Sequence, residues 1–283
     1  MEIVYYLAIV LFSPLQSAAS KYYAKDGGDI LSFNLIKSFS ALALFALVSI
    51  WGITFHVDTI VLSAFYGISL AVSMHFGYRA VEVGPMALTS LLVSFSVVIP
   101  IVYGLSFCGE AFTFFKGLGF GFLFVAIICS NIKKRDNVSS KTDLRWFLCV
   151  LLTFVTNGIC AVLQKRHQIL YPKLYGTEFM LFAMLTCFLI YAVFAIIKIR
   201  PTRFFAVKKK RYGVYSGVGN GIANFCTILL AGFESASVLF PTISIGTIIG
   251  AIICGRVLFK EKLNVNNYLT LLFGVVAIIF LKL

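Results

Sequence analysis

The sequence predicts an all-α integral membrane protein, with ten transmembrane helices arranged as two inverted five-helix repeats. An apolar composition, a succession of helix-length hydrophobic segments and a hydrophobic pattern that occurs twice lead to that expectation. Of the 283 residues, 60% are hydrophobic and 12% charged, and the mean hydropathy is +0.97. A soluble globular domain carries about 25% charged residues. A soluble enzyme or nucleic-acid-binding domain is therefore excluded as the body of the chain, and the net charge of +13 needs another explanation.

Crossing about 30 Å of hydrocarbon takes roughly 20 apolar residues as a helix. The first such segment, 3–21, ends in Ser17-Ala18-Ala19-Ser20, which resembles a signal-peptide cleavage site. It opens on Met1-Glu2-Ile3 without the positive charge of a leader, so it reads as a first span. Span two, 30–50, is interrupted only by Lys37. Span three, 59–78, closes in Met74-His75-Phe76-Gly77-Tyr78-Arg79, and span four, 86–107, runs out before Glu110. Span five, 114–131, precedes the basic Lys133-Lys134-Arg135. Spans six and seven cover 145–164 and 177–197, the latter opening on Glu178, whose carboxylate suits a helix N-terminus. Span eight, 213–231, begins with the glycine-rich Gly213–Gly221, where small residues permit close helix approach. Spans nine and ten, 236–257 and 266–281, flank Glu261.

A shift of 151 positions places Gly104 on Gly255, Glu110 on Glu261, Leu118 on Leu269 and Phe122 on Phe273. Spans one and two match six and seven at shifts of 141 and 146, as in Gln16 on Asn157 and Phe33 on Phe179. The domains read as 1–131 (first repeat), 132–144 (basic linker) and 145–283 (second repeat). Five spans per repeat is an odd number, so the halves are inverted, an organisation characteristic of transporters. Of the 24 Lys and Arg, only Lys116, Lys165, Arg166, Lys173 and Lys282 fall in termini or even-numbered connectors, and Lys37 lies inside a span. The positive-inside rule then puts the odd-numbered connectors in the cytoplasm and both termini outside. Basic clusters such as Lys208-Lys209-Lys210-Arg211 read as orientation signals first and lipid-headgroup sites second.

These features together resemble the drug/metabolite transporter superfamily, in particular its EamA-type members. The first copy of the family's pattern runs from Val83-Gly84-Pro85-Met86-Ala87 through Gly109-Glu110 to Lys116-Gly117. The second runs from Glu234-Ser235-Ala236 through Lys260-Glu261 to Phe273-Gly274, with Lys260 in place of the glycine. The resemblance spans the whole chain. It implies transport across a bacterial cytoplasmic membrane and leaves the substrate open.

Polar groups inside a membrane are costly and mark function by default. The shift of 151 pairs Ser69 with Asn220 and Ser73 with Asn224, a stripe that Thr227 extends. Gln16 and Asn157 are equivalent in spans one and six. For these residues two readings stand: lining of a central cavity, or hydrogen-bonded glue between helices. Lys37 has Ala183 as its counterpart, and is either an interface anchor or a contact to an anionic substrate group. His75 is a further cavity candidate. Glu110 and Glu261 read as capping or packing groups.

The seven Cys read as small hydrophobes. No metal-ligand cluster, cofactor motif or catalytic constellation stands out, so no cofactor and no enzymatic activity are expected. The spans lack the buried first-span carboxylate of the small multidrug exporters, which argues against proton-coupled export of lipophilic cations. Coupling to protons would have to run through His75 or Lys37, and facilitated diffusion or exchange stands beside it. The expected function is alternating-access transport of a small polar metabolite, foremost an amino acid or related zwitterion or amine. A lipid-handling, flippase-like protein and a quaternary-amine permease with an aromatic cage are the alternatives. The expected partners are a small-molecule substrate and the lipid bilayer, not nucleic acid.

Overall fold

A computed structural model describes residues 2–25, 29–83, 89, 92–131, 144–198, 210–258 and 265–283. Among them are ten α-helices and no strand: α1 Glu2–Lys25, α2 Ile30–Val48, α3 Val57–Val83, α4 Val98–Phe107, α5 Phe114–Asn131, α6 Leu144–Leu170, α7 Gly176–Lys198, α8 Lys210–Ala231, α9 Ala236–Leu258 and α10 Val265–Lys282. Seven of them (α2, α3 and α6 to α10) are long and apolar enough to cross a membrane, and the chain is a multi-pass membrane protein. The other three belong to shorter apolar stretches, Glu2–Gln16, Leu92–Phe107 and Phe114–Cys129. The basic linker's residues 132–143, the segment Gly84–Ala87, Lys208–Lys209 and Lys260–Glu261 lie outside the described residues.

Several helices outrun the apolar segments that announce them. α6 has 27 residues, which at 1.5 Å each is about 40 Å, longer than the hydrocarbon is thick. Its C-terminal turns, Gln164 to Leu170, carry polar side chains that find partners inside the protein. At the start of α2, Asp29 Oδ2 accepts from the Ser32 amide and hydroxyl, both at 2.9 Å, and satisfies an orphan donor of the first turn.

Two compact units divide the chain: Met1–Ala71 with Leu163–Gly232, and Val72–Val162 with Phe233–Leu283. Each takes helices from both halves of the sequence; two of the three boundaries fall within α3 and α6, and the third between α8 and α9.

In the first unit the glycines of α8 set the packing. Gly213, Gly217 and Gly221, spaced by four, face α2: a Cβ on Gly213 would strike Ile36, one on Gly217 the Lys37 carbonyl, and one on Gly221 would lie 3.1 Å from Leu44. Gly219 faces α1, where a Cβ would come 3.2 Å from the Phe12 carbonyl. Side chains would hold these backbones apart, so the small residues let α8 lie close to both neighbours. Gly67 of α3 does the same against Ala183 and Thr186 of α7. Tyr66, Phe179, Met184, Tyr191 and Ile228 are buried between these helices.

The second unit is built on α5 and α10. Gly119 admits Leu281, and Phe122 stacks on Phe273 and Phe280 with ring centroids 6.1 and 5.7 Å apart. Gly274 of α10 faces Ile245 of α9. Ala80, Trp146 and Val150 join α3 to α6, with Leu92 and Val93 packed against them. Outward-facing apolar side chains such as Phe107 and Leu272 stay exposed, as a lipid-facing surface requires. The described cysteines form no disulfide, and Cys160, Cys187 and Cys226 are buried.

Because Gly217 has no room for a methyl group and Gly121 has nothing within 4 Å, the two separate packing from helix propensity. Gly217→Ala is expected to cost about 1–3 kcal/mol through overpacking, and Gly121→Ala to be neutral or mildly stabilising. Thermal unfolding of the detergent-purified variants followed by circular dichroism checks this, and equal melting temperatures would refute the close approach of α8 and α2.

Candidate functional site

Within the first unit, α3, α6 and α8 bring together an uncharged hydrogen-bond system. Tyr66 of α3 donates its hydroxyl to Asn224 Oδ1 of α8 at 2.8 Å. Gln164 of α6 donates through Nε2 to the Tyr66 hydroxyl at 3.4 Å and to the Asn224 backbone carbonyl at 3.3 Å. Asn224 Nδ2 in turn donates to the Asn220 carbonyl, 2.9 Å away. Both ends of the Asn224 amide are thus held by protein groups, while the residue remains half-buried. Thr227 turns its hydroxyl back onto the Ala223 carbonyl at 2.8 Å. Ser69 is buried on α3.

A second system joins α2, α7 and α3. Asn34 Nδ2 donates to the Tyr191 hydroxyl at 3.3 Å, and that hydroxyl donates to the Ala71 carbonyl at 2.9 Å. Lys37, nearly one turn beyond Asn34, is half-buried and within electrostatic reach of the Cys187 thiol of α7. On α1, the Gln16 carbonyl accepts from Ser216 of α8 at 3.3 Å.

A third system closes the α6–α7 turn. Gln168 Oε1 accepts the Lys173 amide at 2.9 Å, which makes its Nε2 the donor to the Leu174 carbonyl at 3.3 Å and to His167 Nδ1 at 3.2 Å. His167 therefore carries its proton on Nε2 and donates it to Thr59 Oγ1 at 3.1 Å. These bonds hold a turn in which Lys173 and Tyr175 adopt φ of 62° and 54°. Nearby, Glu178 in the first turn of α7 accepts from Thr54 Oγ1 at 3.0 Å.

The second unit holds the remaining candidates. Ser73 of α3 donates to Asn157 Oδ1 of α6 at 2.7 Å. His75 is half-buried, edge-on to Phe76 with ring centroids 5.4 Å apart. Among the nine candidate residues, Ser73 and Asn157 meet through their side chains, while Asn224 reaches Asn220 only at its backbone carbonyl. Tyr66, Gln164, Asn34, Tyr191 and His167 were not anticipated. A signal existed for two of them: Tyr66 lies seven residues before Ser73 and Gln164 seven after Asn157, each continuing a predicted polar face by two turns.

Glu110 has a distinct task in this unit. Its two carboxylate oxygens accept from the backbone amides of Ala236 and Ser237, the latter at 2.9 Å, and so cap the N-terminus of α9. Gly109, at φ +66°, turns the chain towards that position, and Gly104 leaves room beneath the carboxylate, where a Cβ would collide with it. The duplicated Gly104 and Glu110 thus work together. Lys116 Nζ adds a contact to Ser237 Oγ at 3.3 Å. Among the described residues no group of His, Cys, Asp and Glu is placed to hold a metal ion.

Glu110→Ala is expected to destabilise the second unit by about 0.5–2 kcal/mol, the cost of a lost helix cap. Glu110→Gln, which keeps an acceptor, should lose less. Melting temperatures of the two variants in detergent test the order, and a Gln variant as unstable as the Ala variant would contradict it.

No family model matches this chain, and no curated protein matches it. A solved structure described only as "Crystal structure of protein" aligns over 100% of this chain and 98% of its own, with a TM-score of 0.79 and 13% identity. At that identity the likeness shows the fold alone.

Proposed function

We propose that the chain is a secondary transporter of the EamA-like drug/metabolite type, moving a small polar metabolite, foremost an amino acid or related zwitterion or amine, by alternating access. The observation behind the reading is the uncharged Tyr66–Gln164–Asn224 system on three helices long enough to span the membrane. Polar groups at such positions are expensive and mark pathways. Their neutrality suits a substrate bound through hydrogen bonds rather than one strong opposite charge. The described carboxylates that bear on this, Asp58, Glu110, Glu178 and Glu234, lie at helix ends.

Helix pairing supports the inverted repeat. Phe122 stacks on Phe273, its own counterpart under the shift of 151, and an element touches its own image when it lies beside a twofold axis. The pairs α2–α7 and α4–α9 are also counterparts in contact. The α1–α8 contact of the first unit has its counterpart in the second in the hydrogen bond from Ser73 of α3 to Asn157 of α6.

Asn224→Ala separates the two readings of the polar stripe. Either way the variant removes the acceptor that Asn224 offers the buried Tyr66 hydroxyl and lowers the melting temperature. If the amide also exchanges its protein partners for substrate, half-saturation of the folded protein should rise about ten- to a hundredfold, the equivalent of about 1–3 kcal/mol. If it serves only as interhelical glue, affinity of the folded protein stays. Flux of an amino-acid, amine, sugar and nucleoside panel into proteoliposomes measures half-saturation, and no flux of any member would sink the proposal.

Since these carboxylates sit at helix ends, counterflow is expected without a pH gradient. A strict requirement for the gradient, abolished by His75→Gln, would show proton coupling instead.

A further inference from the structure

We infer that the first unit carries a site for an anionic phospholipid of the surrounding membrane, separate from any transport pathway. A groove of about 860 Å³ lies between α2, α7 and α8. Its walls include Leu35, Phe39 and Leu47 of α2 and Phe188, Ala192 and Ile196 of α7, with the Phe39 and Phe188 rings 5.6 Å apart. Ser40 supplies the hydroxyl of the lining, and it is spent on the Ile36 carbonyl of its own helix at 2.8 Å. The groove therefore offers nothing to a polar ligand and accepts hydrocarbon. Phe39, Leu47, Ile196 and Val214 around it are exposed apolar side chains, as on a face that meets lipid.

Length and charge select the occupant. From Leu35 to Leu47 the groove follows α2 for twelve residues, which at 1.5 Å each is about 18 Å, close to the roughly 15 Å of one leaflet's hydrocarbon. The α8 wall is Val214 and Val218, and Arg211 precedes them by three and seven positions on the same helix face. Arg211 and Lys210 are exposed at the first turn of α8, and the Arg211 guanidinium is centred 5.2 Å over the Tyr212 ring. Two cations thus stand at the end of the groove where an acyl chain would leave it for its headgroup. Asp29, which caps α2 at that end, has its Oδ2 committed to Ser32. One acyl chain in the groove and one anionic phosphate beside the exposed charges of Lys210 and Arg211 account for both features.

Native mass spectrometry of the full chain in detergent, titrated with phosphatidylglycerol or phosphatidylcholine, tests the site without reference to transport. The wild type is expected to retain phosphatidylglycerol in preference. Basic residues at a membrane surface contribute about fivefold each in affinity for anionic lipid, so K210Q/R211Q should lower that preference roughly 25-fold while weaker acyl binding persists. Ala192→Phe, which fills the groove, should reduce retention of both lipids. Equal retention by the wild type, a preference that survives K210Q/R211Q, or full retention by folded Ala192→Phe would each overturn the proposal. The charge variants alter exposed side chains, so they decide the matter even if Ala192→Phe does not fold.

Discussion

Hydrocarbon offers no hydrogen-bond partners, and every polar group that these helices carry into the membrane has to be satisfied by another part of the protein. Many of the threonine hydroxyls meet this demand locally. Thr153, Thr186, Thr227, Thr242 and Thr270 each donate to a carbonyl one turn back on their own helix, and so sit in apolar helices without needing a neighbour. The longer amides and the phenols also need partners beyond their own helix, even where one end bonds locally as Asn224 Nδ2 does to the Asn220 backbone carbonyl. Asn34, Asn157, Gln164, Gln168 and Asn224 reach across to other helices or to a turn, and α3, α6 and α8 meet where these longer side chains find each other.

Close backbone approach makes those meetings possible. α8 presents glycine to α1 and to α2, and on another face presents Asn224 to Tyr66 and Gln164. Dispersion contacts over the glycine faces supply the association that a hydrophobic effect cannot supply within lipid. The polar face then fixes register, because Asn224 satisfies Tyr66 only at one axial position. Packing and hydrogen bonding are divided between two sides of the same helix.

Charge is kept to the ends. Glu110 caps α9, Glu178 takes the Thr54 hydroxyl at the start of α7, and Glu234 pairs with Lys282 at 2.5 Å. Between the ends the described membrane-spanning helices carry amides, hydroxyls and phenols, together with Lys37 of α2. Neutral groups can exchange one hydrogen-bond partner for another at small cost, whereas a desolvated charge cannot leave its partner. An interior of this kind suits helices that must pass between two packings, which is the property the transport proposal needs.

The sequence by itself determined the all-helical membrane class, since long runs of apolar residues have no other way to satisfy their backbone in lipid. It also marked the Ser69, Ser73, Asn220 and Asn224 stripe, and Glu110 as a capping or packing group, because a polar residue at helical spacing or at a span junction stands out against an apolar background. The partners were decided only by the tertiary structure. Glu110 caps a helix that begins 126 residues later, and Asn224 meets Tyr66 across 158 residues. Such pairings depend on the axial register of helices remote in sequence, which local pattern does not encode. Tyr66 and Tyr191 were hidden for a related reason. An aromatic ring in an apolar span reads as packing, and only the position of its hydroxyl against a neighbouring helix turns it into a hydrogen-bond donor.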